Sequence, residues 1–284
     1  MDSYRLITGA VFAITVFMLF DAWMRERAPS TPAPQAQQSV PVAQQPPTAS
    51  VPEAAGTSRP ALPVEAKAET AGQRIVVRTD TLAVEIDTNG GYLRHVELLQ
   101  HRAREHADQN FVLLDAAGQH TYVAQSGIAT PGLPNHNTLF TAEKTQYALS
   151  PAEDEVKVVL HAAGEAGTLQ KTFTFKRASY VIDVDLAVTN TGSAPLEAHA
   201  YFQLVRDQAP PDGTSKVMPT YNGVEIYTDE QKLTKVTFED AAEGNAKYPT
   251  QSTNGWVAIV QHYFLSAWIP AGGVEREFFV RKLE

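Results

Sequence analysis

The chain has no cysteine among its 284 residues, so disulfides, thiolate chemistry and cysteine-based metal sites are excluded. It is short of positive charge. Lys and Arg number 23 against 32 Asp and Glu, for a net charge of -9. A phosphate-binding surface needs clustered Lys and Arg, so nucleic acid is excluded as a partner. After Met24 there is no second long apolar run, which leaves a single place where the chain can cross a bilayer. Also missing are a Gly-rich phosphate cradle, a Gly-x-Ser-x-Gly elbow and a His-Glu-x-x-His helix. Without a nucleophile, a metal set or a phosphate loop, a binding or assembly domain is favoured over an enzyme, and no cofactor is expected.

What is present begins with an apolar run, Tyr4 to Met24, of 21 residues, whose uncharged centre is Leu6 to Phe20. At about 1.5 Å of rise per residue it reaches roughly 31 Å, enough to cross the hydrocarbon core. Tyr4, Arg5 and Trp23 are the residue types that settle at membrane interfaces. Asp21-Ala22-Trp23-Met24-Arg25 puts bulk and charge where a signal peptidase needs small residues. Residues 1–27 therefore read as an uncleaved signal anchor, in preference to a cleaved signal peptide or a soluble core helix. The Lys/Arg balance on the two flanks does not orient it.

Residues 28–72 hold nine of the eighteen prolines, mixed with Ala, Gln, Ser and Thr. Such sequence cannot bury enough apolar surface to offset ordering entropy, so a flexible linker is expected. From Gln73 the hydrophobic period becomes two. Tyr180, Ile182, Val184, Leu186 and Val188 share one face of a half-buried strand, with Asp183 and Asp185 on the other. Leu196, Ala198, Ala200, Phe202 and Leu204 repeat the pattern beyond Asn190-Thr191-Gly192, which predicts an antiparallel hairpin. Further strands are expected at Ile75–Arg78, Leu82–Ile86, Phe111–Leu114, Tyr122–Gln125, Val156–His161, Thr172–Lys176 and, at the end, Arg276–Leu283. Residues 73–284 are thus expected to form an all-antiparallel sandwich of two sheets with little helix.

Candidate chemistry is thin. His95, His101 and His106 do not share a face, and Asp183 with Asp185 reads as the solvated side of a strand rather than an acid/base pair. The unusual stretch is Gly255 to Pro270, with two of the three tryptophans. Two readings stand. It is a central core strand from Tyr263, covered on both sides, with a short helical turn over Trp256–Gln261; or Trp256, Gln261, Tyr263, Phe264, Trp268 and Pro270 form an aromatic contact surface for a partner or the membrane interface.

Several motifs occur together in one order: Met1-Asp2-Ser3 with Arg5, Asp21-Ala22-Trp23, and the Gln/Pro-rich tether. Beyond them come Thr79-Asp80-x-Leu82, Ile86-x-Thr88-x-Gly90-Gly91, Tyr122-x-Ala124-Gln125-Ser126-Gly127, Lys171-Thr172-Phe173-x-x-Lys176-Arg177-x-x-Tyr180, and the Gly255–Pro270 run. On these the chain resembles the N-terminal part of the bacterial YidC membrane protein insertase family. The resemblance implies one transmembrane helix with a cytoplasmic N-terminus in the bacterial inner membrane, and a periplasmic β-supersandwich similar to mutarotase-like sugar-binding proteins, incomplete at its C-terminus. It further implies insertion, folding and assembly of nascent inner-membrane proteins, alone or with Sec translocon subunits, in contact with the lipid bilayer. The family's insertase core is a bundle of further spans with an Arg in a hydrophilic groove. It is expected to be absent here, leaving an anchoring and scaffolding portion, either a fragment or a truncated product. The alternative reading is a membrane-tethered carbohydrate-binding or sugar-modifying domain, since fold alone does not fix function.

Overall fold

The computed structural model describes Met18 and residues 72–283, save 105, 117–119, 210–219 and 262. The expected anchor with Tyr4, Arg5 and Trp23, and the linker 28–72, lie outside the described residues apart from Met18 and Gly72. No helix among the described residues is long and apolar enough to cross a membrane. The chain divides into two compact units, Met1–Gly56 and Thr57–Glu284, and the described residues from 72 onward belong to the second.

Alternating inward residues generate three larger sheets. The first holds β1 (Arg74–Arg78), β2 (Leu82–Asp87), β3 (Tyr92–Arg102), β4 (Asn110–Leu114), β5 (Tyr122–Ile128), β7 (Gln146–Ala148) and β11 (Ala200–Arg206). Its order is β11-β5-β3-β2-β1-β7, with β4 branching from β3. The second contains β6 (Thr141–Ala142), β8 (Glu155–Ala163), β9 (Gly167–Lys176) and β10 (Ile182–Asn190), ordered β10-β9-β8-β6. The third contains β12 (Asn222–Thr228), β13 (Lys232–Thr237), β15 (Trp256–Gln261) and β16 (Phe264–Trp268), ordered β13-β12-β15-β16. A ribbon pairs β14 (Gln251–Ser252) with β17 (Arg276–Glu277). The described helix α1 (Phe238–Glu243) is capped by Thr237, whose hydroxyl accepts from the Asp240 amide, and by left-handed Gly244.

One apolar cluster joins the sheets. Ile75, Val77, Leu82, Val84 and Ile86 from β1 and β2 belong to it, with Val158 and Leu160 from β8, Leu169, Phe173 and Phe175 from β9, and Ile226 and Ile259 from the third sheet. Each large side chain so buried contributes roughly 1.5–3 kcal/mol, so this cluster is the main source of stability.

Several expectations are corrected. The strand beginning at Ala200 does not form a hairpin with β10. It runs antiparallel to β5 in the first sheet, Tyr201 opposite Gly127, while β10 pairs with β9 over all its length. The turn at Asn190 is real, with the Gly192 amide bonded to Asn190 Oδ1 at 2.8 Å, but the chain leaves the second sheet afterwards. Pairing is not wholly antiparallel, because β1 and β7 run parallel. The two expected sheets are three with a ribbon. Trp256–Gln261 is strand rather than helix, and in Arg276–Leu283 only Arg276–Glu277 pairs as strand.

Two turns are tied together by the Thr79-Asp80 and Arg177-x-x-Tyr180 motifs. The Asp80 carboxylate accepts from the Ala178 amide at 2.9 Å, and the Thr81 hydroxyl donates to the Ser179 carbonyl at 2.7 Å. Ala178 is held at φ 52, a left-handed backbone that costs a Cβ-bearing residue about 1 kcal/mol. Ala178→Gly is therefore expected to stabilise the domain by about 0.5–1 kcal/mol, seen as a higher urea midpoint at unchanged slope. An unchanged or lowered midpoint would show that the left-handed backbone at Ala178 stores no such strain.

Candidate functional site

The residues singled out in Gly255–Pro270 form a seam between sheets. The Trp268 indole donates to the Gln203 carbonyl of β11 at 3.0 Å, and its ring lies 5.1 Å from Phe202. Phe264 stacks on Phe111 of β4 at 4.1 Å, and buried Gln261 reaches the Leu113 carbonyl. Trp256 stacks on Tyr227 within the third sheet, and the Pro270 carbonyl accepts from Arg276 at 3.0 Å. In this way the β15–β16 hairpin docks the third sheet onto β4 and β11 of the first. The central core strand is β15, between β12 and β16, and not the segment from Tyr263, because β16 is the last strand of its sheet. Tyr263 differs from its neighbours: it is 78% exposed, and with Leu265 and Ile269 it presents apolar surface outward.

The histidines noted earlier stay apart. His95 meets Asp115 at 3.2 Å, and His101 meets the Tyr180 hydroxyl at 3.2 Å. Asp183 pairs with Lys176 at 2.6 Å on the outer face of the second sheet, as a solvated strand face would.

Sequence reasoning missed a buried polar cluster under the β9 strand. Lys171 is completely buried, and its Nζ donates to the carbonyls of Gly90 at 3.2 Å, Gly91 at 2.9 Å and Ser126 at 2.7 Å. The same Nζ sits 5.0 Å from the centre of the Phe140 ring, within cation–π reach. Burial pushes this ammonium down to about 7. Three carbonyls act the other way, since an ammonium has three N–H bonds to match three acceptors and a neutral amine has two. The carbonyls are available because Gly90 and Gly91 both take positive φ, 95 and 54. A Cβ at Gly90 would stand 2.2 Å from the His136 carbonyl, so that turn admits only glycine.

His136 and Tyr201 complete the cluster. The Tyr201 hydroxyl accepts from the His136 backbone amide at 3.0 Å and makes a short contact with Nδ1 of the same residue. Burial pushes the phenol up to about 12, so it keeps its proton and donates to Nδ1. The imidazole proton is thereby assigned to Nε2, which is buried without a partner. Burial, reinforced by the Lys171 charge, pulls His136 down to about 4. The motifs Gly90-Gly91, Gln125-Ser126-Gly127 and Lys171-Thr172-Phe173 meet here. The signal for it lay in β9: Leu169, Phe173 and Phe175 define its inward face, and Lys171 occupies the same face.

Chemically the cluster holds a lysine amine that is charged below about 7 and a neutral imidazole inside the core. No group of three or more His, Cys, Asp or Glu able to hold a metal occurs among the described residues. Fold and site together define an all-β domain of several sheets clasped around a buried cation. The chain belongs to the YidC periplasmic domain family, whose model matches residues 74–284. It is 41% identical over 286 residues to the membrane protein insertase YidC of Aromatoleum aromaticum, covering 100% of this chain and 52% of the relative. The corresponding protein of Nitrosospira multiformis is 37% identical over 302 residues, with 100% and 53% covered, and that of Dechloromonas aromatica 39% over 285, with 100% and 51%. The chain thus spans about half the length of the curated relatives it matches.

Two outcomes are expected. Lys171→Met leaves three buried carbonyls unpaired and should cost at least about 3 kcal/mol in urea unfolding; a loss below about 1 kcal/mol would mean the carbonyls find other partners. For His136 the folded pKa lies below the unfolded value, so its contribution is complete above about 6.5 and is lost as pH falls toward 4. Stability should drop by about 2–3 kcal/mol across that window, and His136→Gln should flatten this part of the profile. A profile of the same slope in the variant would assign the acid sensitivity elsewhere.

Proposed function

We propose that this chain is the anchoring and scaffolding portion of a bacterial membrane protein insertase and chaperone. In this reading residues 1–27 are a signal-anchor helix with a cytoplasmic N-terminus in the inner membrane, 28–72 a flexible linker, and 73–284 a periplasmic β-supersandwich of mutarotase-like type. The observation that carries it is the family match over residues 74–284, together with relatives named as insertases that align with all of this chain. The relatives are named as membrane protein insertases, and the apolar run at Tyr4–Met24 supplies a suitable length for a span.

Insertion itself requires a polar groove held at membrane depth by several packed spans, because water and charge there are costly unless enclosed by protein. A β domain cannot supply that. Its role is to orient the membrane part and to meet Sec translocon subunits or nascent inner-membrane proteins at the lipid surface. Tyr263, Leu265 and Ile269 are the contact candidates, since their apolar side chains are exposed while Trp256, Phe264 and Trp268 pack against other rings of the domain.

Deleting Gln73–Leu265 from a complete protein tests the accessory role: insertion of most substrates should persist, and loss of insertion of every substrate would overturn it. A photo-crosslinker in place of Tyr263 should capture translocon subunits at least about tenfold better than one in place of buried Phe173. Equal yields from the two sites would remove the contact assignment.

A further inference from the structure

The edges of the three sheets are not alike. In the second sheet β6 is two residues long, and in the first β7 is three. The β11 and β16 edges face each other across the Trp268–Gln203 bond, and β13 carries Lys232 and Lys235 along its length. Short, covered or Lys-bearing edges are the usual means of preventing strand addition. β10 is neither short nor Lys-bearing, and its only charges are Asp183 and Asp185. It is nine residues long, pairs with β9 on one side through all nine, and among the described residues no strand pairs with its other side.

Its apolar row is also unfinished. Ile182, Val184, Leu186 and Val188 pack against the core yet stay half-buried, and the preceding Val181 is 64% exposed. Asp185, Ala187 and Thr189 point outward. Strand edges left with half-covered apolar residues gain burial when a further strand is added.

We propose that β10 pairs with β10 of a second copy of this chain, antiparallel about a two-fold axis through Leu186, joining two four-stranded sheets into one of eight. The sequence of the strand selects that occupant and that register. Full overlap places Leu186 on the axis, Val184 opposite Val188, Asp183 opposite Thr189 and Asp185 opposite Ala187. No carboxylate faces another. Moving the axis to Asp185 sets that residue against itself, and moving it to Val184 sets Asp183 against Asp185 twice; both are disfavoured. The register with the most pairs therefore also leaves no two carboxylates directly opposed, the two Asp185 residues lying diagonally across the axis, and its apolar row is continuous. Asp183 is already neutralised by Lys176 at 2.6 Å within each copy.

The absence of cysteine makes a direct test available. In the full chain reconstituted in phospholipid vesicles, Leu186→Cys carries the one thiol. Opposed residues in an antiparallel pair have Cα atoms about 4.5–5.5 Å apart, within disulfide range. Copper–phenanthroline oxidation should yield a dimer from Leu186→Cys and little from Gln170→Cys, an exposed position on the neighbouring strand. Because Leu186 helps to fill the core, a second pair of variants leaves it intact. Ala187→Asp places two carboxylate pairs across the axis and Ala187→Lys two ion pairs. Sedimentation of the detergent-solubilised chain should show association at least about fivefold weaker for the former than for the latter. Equal crosslinking at 186 and 170, or equal association of the two Ala187 variants, would overturn self-pairing.

Discussion

The rest of the domain depends on one buried ammonium. Lys171 Nζ binds the Gly90 and Gly91 carbonyls, which end the β2–β3 connection, and the Ser126 carbonyl of β5, while its own strand belongs to the second sheet. A single charge therefore ties two sheets at a point where apolar packing alone would leave three peptide oxygens without donors. Desolvating that charge costs several kcal/mol, and three charge-assisted bonds together with the Phe140 ring offset part of the cost. The arrangement is specific in a way that hydrophobic contact is not, because it requires the carbonyls to arrive at one place together.

Other constraints radiate from that point. Gly90 and Gly91 must be glycine so that their carbonyls can turn inward, and Gly127 leaves room for the Tyr201 ring, since a Cβ there would lie 2.7 Å from the phenolic oxygen. Tyr201 then fixes His136 and, with it, the place of β11 beside β5. The third sheet attaches through Trp268 and Phe264 at the far side of the same β11 and of β4. A domain clasped in this way offers rigid surfaces at its margins. That suits the scaffolding role proposed above.

How much of this could be read from the sequence varied with the periodicity. Strands with clean alternation, such as β2 and β8, were located within a few residues. β3 was missed, since His95, Glu97 and Gln100 interrupt its apolar pattern and a bulge opposite Glu85 shifts its register. β12 and β13 were missed because Asp229-Glu230-Gln231 contains no glycine; positive φ falls instead on Lys232. The WVAIVQ segment of β15 is apolar on both faces, so its period could not tell strand from helix. The β10–β11 hairpin was misjudged for a different reason. Its turn signal was correct, but the partner of β11 is chosen by Tyr201 and His136, 65 residues apart, and no local pattern reports that. Lys171 was legible in retrospect, as a charged residue in register with Leu169, Phe173 and Phe175.

The most direct test of the clasp is the state of the Lys171 side chain itself, observed by nitrogen-15 NMR of the folded domain at pH 6, below the value of about 7 to which burial pushes it. The account predicts an ammonium resonance whose three protons exchange slowly with solvent and couple to the Gly90, Gly91 and Ser126 carbonyls. A neutral amine shift at pH 6, or protons exchanging as fast as those of exposed Lys157, would contradict it.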